Sequence, residues 1–274
     1  MKPFADKVVV ITGGAGGIGF AVAQRFGQDG AHLVLLDRDA EATRARVEQL
    51  RASGLHAGGR ACDITDEVVC RQTIEELIGE LGGIDVLVHS AGLTQVSAAD
   101  ETDLSVYRRV MDVNFFGAVT VTRAALASLQ QRQGRIAVLS SIAGVGPLLG
   151  RTGYCASKYA LHGYFETLRC ELAPHNVSVT MVCPSFVATD FARRGLAGDG
   201  SVLVSDRDTA GRMVSPEQVA DAIYRGVARR KRIVIMGGTG RLAYWLARFA
   251  PRLYERQMMR RFRRQIQVAD AKQT

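Results

Sequence analysis

The stretch from Lys7 to Asp37 constrains the fold more than any other part of the chain. Lys7-Val8-Val9-Val10-Ile11 is a short apolar run rich in β-branched residues, which suits a strand buried on both faces. It leads into Thr12-Gly13-Gly14-Ala15-Gly16-Gly17-Ile18-Gly19, and Phe20 to Phe26 then repeats apolar residues at helical spacing. Glycines let a chain turn tightly and let its backbone approach a pyrophosphate. A helix that opens directly after the turn aims its free N–H groups at that anion. A second apolar run, His32-Leu33-Val34-Leu35-Leu36, ends at Asp37. That is about 20 residues past the glycines, where a carboxylate would accept bonds from an adenosine ribose. A glycine turn alone is often only a turn. Strand, turn, helix, strand and acid in this order point to a dinucleotide-binding βαβ unit.

The alternation continues. Strands are expected at Ala57–Ala61, Val86–Val88, Ile136–Leu139, Ser178–Val182 and Ile233–Ile235, with helices Asp66–Leu81, Leu104–Gln130 and Gly153–Ala173 among those between them. Right-handed crossovers then give an α/β fold: a Rossmann-type doubly wound parallel sheet of about seven strands, with helices on both faces. A length of 274 residues with 47% apolar content suits one such domain, placed here at 1–239, followed by a C-terminal extension, 240–274. No uninterrupted 18-residue apolar run implies a bilayer span. Five cysteines without a signal peptide or close-spaced ligand cluster read as reduced thiols in a cytoplasmic protein with no metal. From Asp190 to Val214 glycines and charges replace the periodicity, and Ser215-Pro216-Glu217-Gln218 reads as a helix start. The aperiodic segment is read as a lid over the ligand crevice, against a plain surface loop.

Tyr154 and Lys158 stand four apart at the start of an expected helix, so phenol and ammonium share a face. A free tyrosine, with a pKa of about 10, is a poor acid or base at pH 7, and lowering it by about three units takes roughly 4 kcal/mol. One ammonium about 4 Å away at an effective dielectric near 20 supplies an interaction of that size. The spacing therefore suits a tyrosine that exchanges a proton with a substrate near neutral pH.

These segments together resemble the tyrosine-dependent short-chain dehydrogenase/reductase family. Thr12-Gly13-x-x-x-Gly17-x-Gly19 matches its cofactor loop, and Tyr154-x-x-x-Lys158 its catalytic signature. Ser141, thirteen residues before the tyrosine, matches its serine, and Asn114 in Asp112-Val113-Asn114-Phe115-Phe116-Gly117 its asparagine. The resemblance runs from about residue 5 to 236. It implies catalytic roles for Asn114, Ser141, Tyr154 and Lys158. It implies a nicotinamide cofactor held by Gly13, Ala15, Gly16, Gly17, Ile18, Gly19, Asp37, Arg38, Asp63, Ile64, Ser90, Ala91, Gly92, Tyr154, Lys158, Pro184, Val187 and Thr189. Tyr154 would give its proton to a carbonyl or take one from an alcohol, Lys158 would lower its pKa and bond the nicotinamide ribose, Ser141 would orient the substrate oxygen, and Asn114 would position a relay water. Two departures stand out. His89-Ser90-Ala91-Gly92 replaces the family's Asn-Asn-Ala-Gly, with His89 read as a structural variant, and Pro184-Ser185 replaces Pro-Gly.

Asp37 repels a 2′-phosphate, which favours NAD, while Arg38 beside it leaves NADP open. The substrate is expected to be an alcohol or ketone, hydrophobic or lipid-like; a non-catalytic nucleotide-binding redox sensor is the alternative. The resemblance further implies a homodimer or homotetramer. The C-terminus is unusual: Arg225 to Arg264 holds thirteen Arg or Lys and one acid, Glu255, in a chain whose total charge is +8. Leu242, Trp245, Leu246, Phe249 and Leu253 recur at helical spacing among arginines, so one or two amphipathic helices are expected, with Pro251 at a break or a first turn. Contact with a membrane surface and packing on the domain or a partner subunit both fit this pattern; nucleic acid does not, for want of a recognition fold.

Overall fold

The computed structural model describes residues 2–189, 191, 194–203 and 213–260. Strands β1 (Val8–Thr12), β2 (His32–Asp37), β3 (Ala57–Ala61), β4 (Val86–His89), β5 (Arg135–Leu139), β6 (Ser178–Cys183) and β7 (Ile233–Ile235) form one sheet in the order β3-β2-β1-β4-β5-β6-β7. Every pairing is parallel, with Val9 opposite Leu33 on one side and Val86 on the other. The chain runs outward from β1 to β3 and then crosses to β4 on β1's other side. A crevice opens at that reversal, beyond the strands' carboxyl ends, where ligands of such sheets bind.

Both faces are covered. Helices α1 (Gly17–Gly27) and α2 (Ala40–Ala52), with α7 (Pro216–Ala228), bury Val22, Phe26, Leu50 and Ile223 against one face. Helices α3 (Glu67–Leu81), α5 (Gly117–Gln131) and α6 (Thr152–Glu171) bury Ile74, Val121, Leu129 and Phe165 against the other. The starts follow the sequence signals: the Asp66 carboxylate accepts from Val68 and Val69 N–H ahead of α3, and Ser215 and Gln218 form a capping box ahead of α7.

The helix expected over Leu104–Gln130 departs from regularity. It is α4 (Leu104–Met111), a π-helical turn at Asp112–Phe116, and then α5. By length and composition this rod could span a bilayer, but Val121, Ala125 and Leu129 are wholly buried in the core, which explains its apolar character without lipid.

The segment read as a lid is described in part; residues 190, 192–193 and 204–212 lie outside the described residues. Its middle is pinned rather than free. Leu196 exchanges backbone bonds of 2.8 Å with Thr94 and Val96, Gly198 O accepts from Asp103 N at 2.9 Å, and the Leu196 side chain is buried with Val106 and Val110.

The C-terminal extension forms α8 (Gly238–Phe249) and a second helix, α9 (251–260), with Pro251 as its first residue; the extension's last residues, 261–274, lie outside the described residues. The fold divides the basic run. Arg225 to Arg232 lie on α7 and the turn entering β7, at the sheet end away from the crevice, where Arg225 pairs with Asp221 and Arg230 donates to Asn176 and Gln133. The basic residues of α8 and α9 follow β7 and lie on the crevice side.

Candidate active site

The crevice is a cleft of about 1380 Å³ lined at one end by the glycine turn and at the other by α6, the 184–189 segment, Phe191 and α8. Gly13 has φ +65°, and a Cβ there would stand 2.7 Å from Ala91 Cα, so only glycine lets the turn approach the β4 loop. A Cβ on Gly19 would fall 2.2 Å from Gly13 O. Thr12 Oγ1 accepts from Ser90 N and Ala91 N at 3.2 and 3.3 Å, tying β4's exit to the turn. Gly16 precedes α1 without a capping side chain, and the first turn carries no acid. That uncapped helix start faces the cleft, as an anion site requires. Gly13, Ala15, Gly16, Gly17, Ile18, Gly19, Ser90, Ala91 and Gly92 all line it.

At the adenosine end, Asp37 Oδ2 accepts from Ala15 N at 3.2 Å and Oδ1 from Asp39 N at 3.3 Å. Asp63 accepts from the Thr65 N–H and hydroxyl, which together with the Arg38 charge holds its carboxyl below the usual range. Arg38, Asp63 and Ile64 line the same end. So does Arg46, which donates to Ala15 O at 3.4 Å and lies 4.4 Å over the Phe20 ring. The sequence reading missed Arg46 because it sits on α2, outside any motif. The cradle, the uncapped helix and the acid at β2 fit a dinucleotide.

At the other end the four expected catalytic residues converge. Ser141 ends the β5 loop, its Oγ accepting from Ala143 N at 3.1 Å, and Ile142 N donates to Pro184 O at 3.1 Å. This bond clips the segment bearing Pro184, Val187 and Thr189, all cleft-lining, to the serine's turn. Asn114 sits in the π-helical turn, 2% exposed, with Oδ1 accepting from Leu93 N at 2.6 Å and Nδ2 donating to Leu93 O and Ser157 Oγ at 2.8 Å. It ties the β4 loop to α6 one residue before Lys158.

Tyr154 and Lys158 share the cleft face of α6, yet their electrostatics differ from the expectation. Lys158 Nζ donates to Leu139 O at 2.9 Å and stands 5.6 Å from the Tyr154 ring centroid. Burial lowers its pKa to about 8. Burial raises the Tyr154 pKa, opposed by the Ser141 hydroxyl and the charge of Arg151. Arg151 is thus a second cation acting on the phenol, beside Lys158, whose ammonium also bonds a backbone carbonyl. Arg151 donates to Thr94 Oγ1 at 3.0 Å and lines the cleft. The sequence reading missed it, because it stands three residues before Tyr154 but just outside α6, where no helical spacing relates the two.

His89 is 4% exposed, with Nε2 2.7 Å from Thr122 Oγ1 and no partner for Nδ1 among the described residues. Burial lowers its pKa to about 3, so it stays neutral and packs near the Phe165 ring. It faces α5 rather than the cleft, as a structural residue would. Cys62 and Cys70, distant in any ligand pattern, bring their Sγ atoms within 3.7 Å. Among the described residues no group of three or more His, Cys, Asp or Glu is placed to hold a metal.

Comparison with known proteins gives the family and the fold. The family model for short chain dehydrogenase matches residues 7–198. "Dehydrogenase/reductase SDR family member 7B" of Xenopus laevis is 36% identical over 257 residues, covering 90% of this chain and 79% of its own length. "11-beta-hydroxysteroid dehydrogenase A" of Sesamum indicum is 34% identical, covering 92% of this chain and 74% of its own length. The crystal structure of gox2181 superposes with a TM-score of 0.73 at 23% identity, over 83% of this chain and 91% of that one, a likeness of fold.

Proposed function

Because this chain belongs to the short chain dehydrogenase family and is therefore an oxidoreductase, we propose that it transfers hydride between a nicotinamide dinucleotide and a hydrophobic alcohol or ketone. The observation that carries the reading is the meeting of Ser141, Tyr154 and Lys158 in one cleft with the glycine turn and the uncapped start of α1. A redox sensor would need the nucleotide end alone.

The nicotinamide supplies or accepts the hydride when bound. The glycine turn and α1 would hold its pyrophosphate, Asp37 its adenosine ribose, and the 184–189 segment its other end. Tyr154, with a pKa raised by burial, is protonated at pH 7 and would give its proton to a carbonyl oxygen in reduction or regain one from an alcohol in oxidation. The Ser141 hydroxyl orients the carbonyl beside the phenol. Lys158, with a pKa of about 8, exchanges protons near neutral pH and can replace the one Tyr154 gives up. The cleft beyond Tyr154 is walled by Leu148, Phe186, Phe191, Met213, Leu246 and Met258, which supports an apolar substrate.

Asp37 favours NAD(H), because its negative charge at the end of β2 repels a 2′-phosphate. NADP(H) is the second reading, supported by Arg38 and Arg46 at the same end. A panel of steroid, retinoid, sphingoid and acyl ketones, each with NADH and NADPH, tests activity and cofactor together. Asp37→Ala should narrow the preference for NADH. Tighter NADPH binding by the unaltered protein would show that the arginines prevail, and no turnover of any member would favour the sensor.

A further inference from the structure

Helix α8 has two apolar faces. One is seated on the turn that carries Ser141: Gly240 lies over Ile142, and the Tyr254 hydroxyl of α9 donates to Pro147 O at 3.1 Å. Along this face Ala243 and Leu246 wall the substrate end of the cleft. The other face points outward, with Leu242, Trp245 and Phe249 at 59%, 55% and 72% exposure, continued on α9 by Leu253 and Met259. Trp245 and Phe249 stack at 5.4 Å and 19°. Leu242 belongs to both faces, since it lines the cleft and is mostly exposed. The outer apolar stripe is therefore continuous with the cleft wall. An exposed stripe of this size marks an interaction site.

Charge identifies the partner. Residues 238–260 carry Arg241, Arg248, Arg252, Arg256 and Arg260 against one acid, Glu255. A second copy of the chain is a poor fit, because a two-fold contact sets the same patch against itself and would bring the arginine rows together. An anionic lipid surface accepts both features, with apolar side chains entering the acyl boundary and guanidinium groups at the head groups.

We propose that α8 and α9 dock on an anionic membrane surface and that an apolar substrate passes from the lipid along Leu242 into the cleft. The second half rests on the reading of the site given above. Arg225 to Arg232 take no part, since they lie at the other end of the sheet.

Trp245, the sole tryptophan of the chain, is a built-in probe. Full-length protein is mixed with vesicles of phosphatidylcholine alone or with phosphatidylserine, and tryptophan emission and flotation are read. Phosphatidylserine vesicles should shift the emission to the blue and float the protein. Rising salt should weaken binding, since exposed charges are screened within about 10 Å at 0.1 M. Phe249→Asp, at an exposed position away from the cleft, should weaken vesicle binding by more than about tenfold while a short soluble ketone is still reduced. No response to either vesicle, binding untouched by Phe249→Asp, or a concentration-dependent dimer that Phe249→Asp dissolves would overturn docking. Docking with no ketone turned over would remove the enzyme reading and with it the entry route. Turnover of soluble ketone without docking would leave the enzyme reading intact and remove this one.

Discussion

Burial acts in opposite directions on the two titrating residues of the site, raising the Tyr154 pKa and lowering that of Lys158 to about 8. Both shifts have one cause: the charged form has lost water. For Lys158 the consequence for stability can be signed. Its folded pKa of about 8 lies below the ordinary 10.5, so between those values the unfolded chain binds more protons and stability due to this group rises with pH. Lys158→Met should therefore be the more stable protein at pH 7, by on the order of 3 kcal/mol, with the gap closing from about pH 8 to pH 10.5. Urea melts of both proteins across that range measure it, and a gap independent of pH would mean that the ammonium is better solvated than its surroundings indicate. Tyr154→Phe should lower turnover by at least about a hundredfold, the usual scale of a lost general acid, while nucleotide affinity moves only a few fold. Wild-type turnover in that variant would remove Tyr154 from the chemistry. The pair was legible in the sequence because helical spacing puts residues four apart on one face. Where the ammonium rests was not, because a lysine's long chain can carry its charge to any acceptor nearby, here Leu139 O.

At the scale of elements, the local signals were close to complete for strands. Each of the seven expected runs became a strand with ends shifted by a residue or less; β1, β2, β4, β5 and β6 are the inner strands of the sheet, where apolar runs are required, while β3 and β7 are its half-buried edges. The π-helical turn at Asn114 was illegible. A single π turn is too short to register in an apolar period read over several turns, and the tertiary bonds of Asn114 to Leu93 and Ser157 accompany it. The pinning of Leu196 to Thr94 and Val96 was equally hidden, since it joins residues far apart in sequence by backbone bonds that carry no side-chain signature. Two glycines test how far an element's geometry dictates its sequence. Gly19→Ala sets a methyl 2.2 Å from Gly13 O, so the turn must open; nucleotide binding measured by titration should weaken by more than about tenfold, the effect of a clash of 1–3 kcal/mol. Gly79, inside α3, has nothing within 4 Å of its Cβ position, so Gly79→Ala should raise stability by roughly 0.5–1 kcal/mol without touching binding. Equal effects from the two would show that neither space nor strain decides glycine use here.

At the scale of the whole molecule, the basic C-terminal run was plain in composition and misleading in arrangement. Composition cannot show that β7 passes through the middle of it, leaving Arg225 to Arg232 at one end of the sheet and the α8–α9 arginines at the other. The same topology makes the C-terminal helices a wall rather than a support. The two large core clusters, one on each face of the sheet, contain no residue of α8 or α9, and within these helices only Gly240 and Tyr254 are buried. A chain ending after Met236 should therefore still fold around its seven strands. Its Tm should fall by roughly 5–10 °C, which at 2–4 °C per kcal/mol corresponds to the loss of about 2–3 kcal/mol of contact with the Ser141 turn. Nucleotide affinity should stay within about threefold, because the glycine turn, Asp37 and Asp63 lie at the far end of the cleft, whereas a hydrophobic ketone should show a KM raised by about tenfold or more once Ala243 and Leu246 no longer cover its apolar part. Calorimetry, nucleotide titration and steady-state kinetics on the shortened chain separate these effects. Failure to fold would make the helices part of the core despite their sparse burial, and an unchanged KM would mean that substrate binds clear of the wall they form.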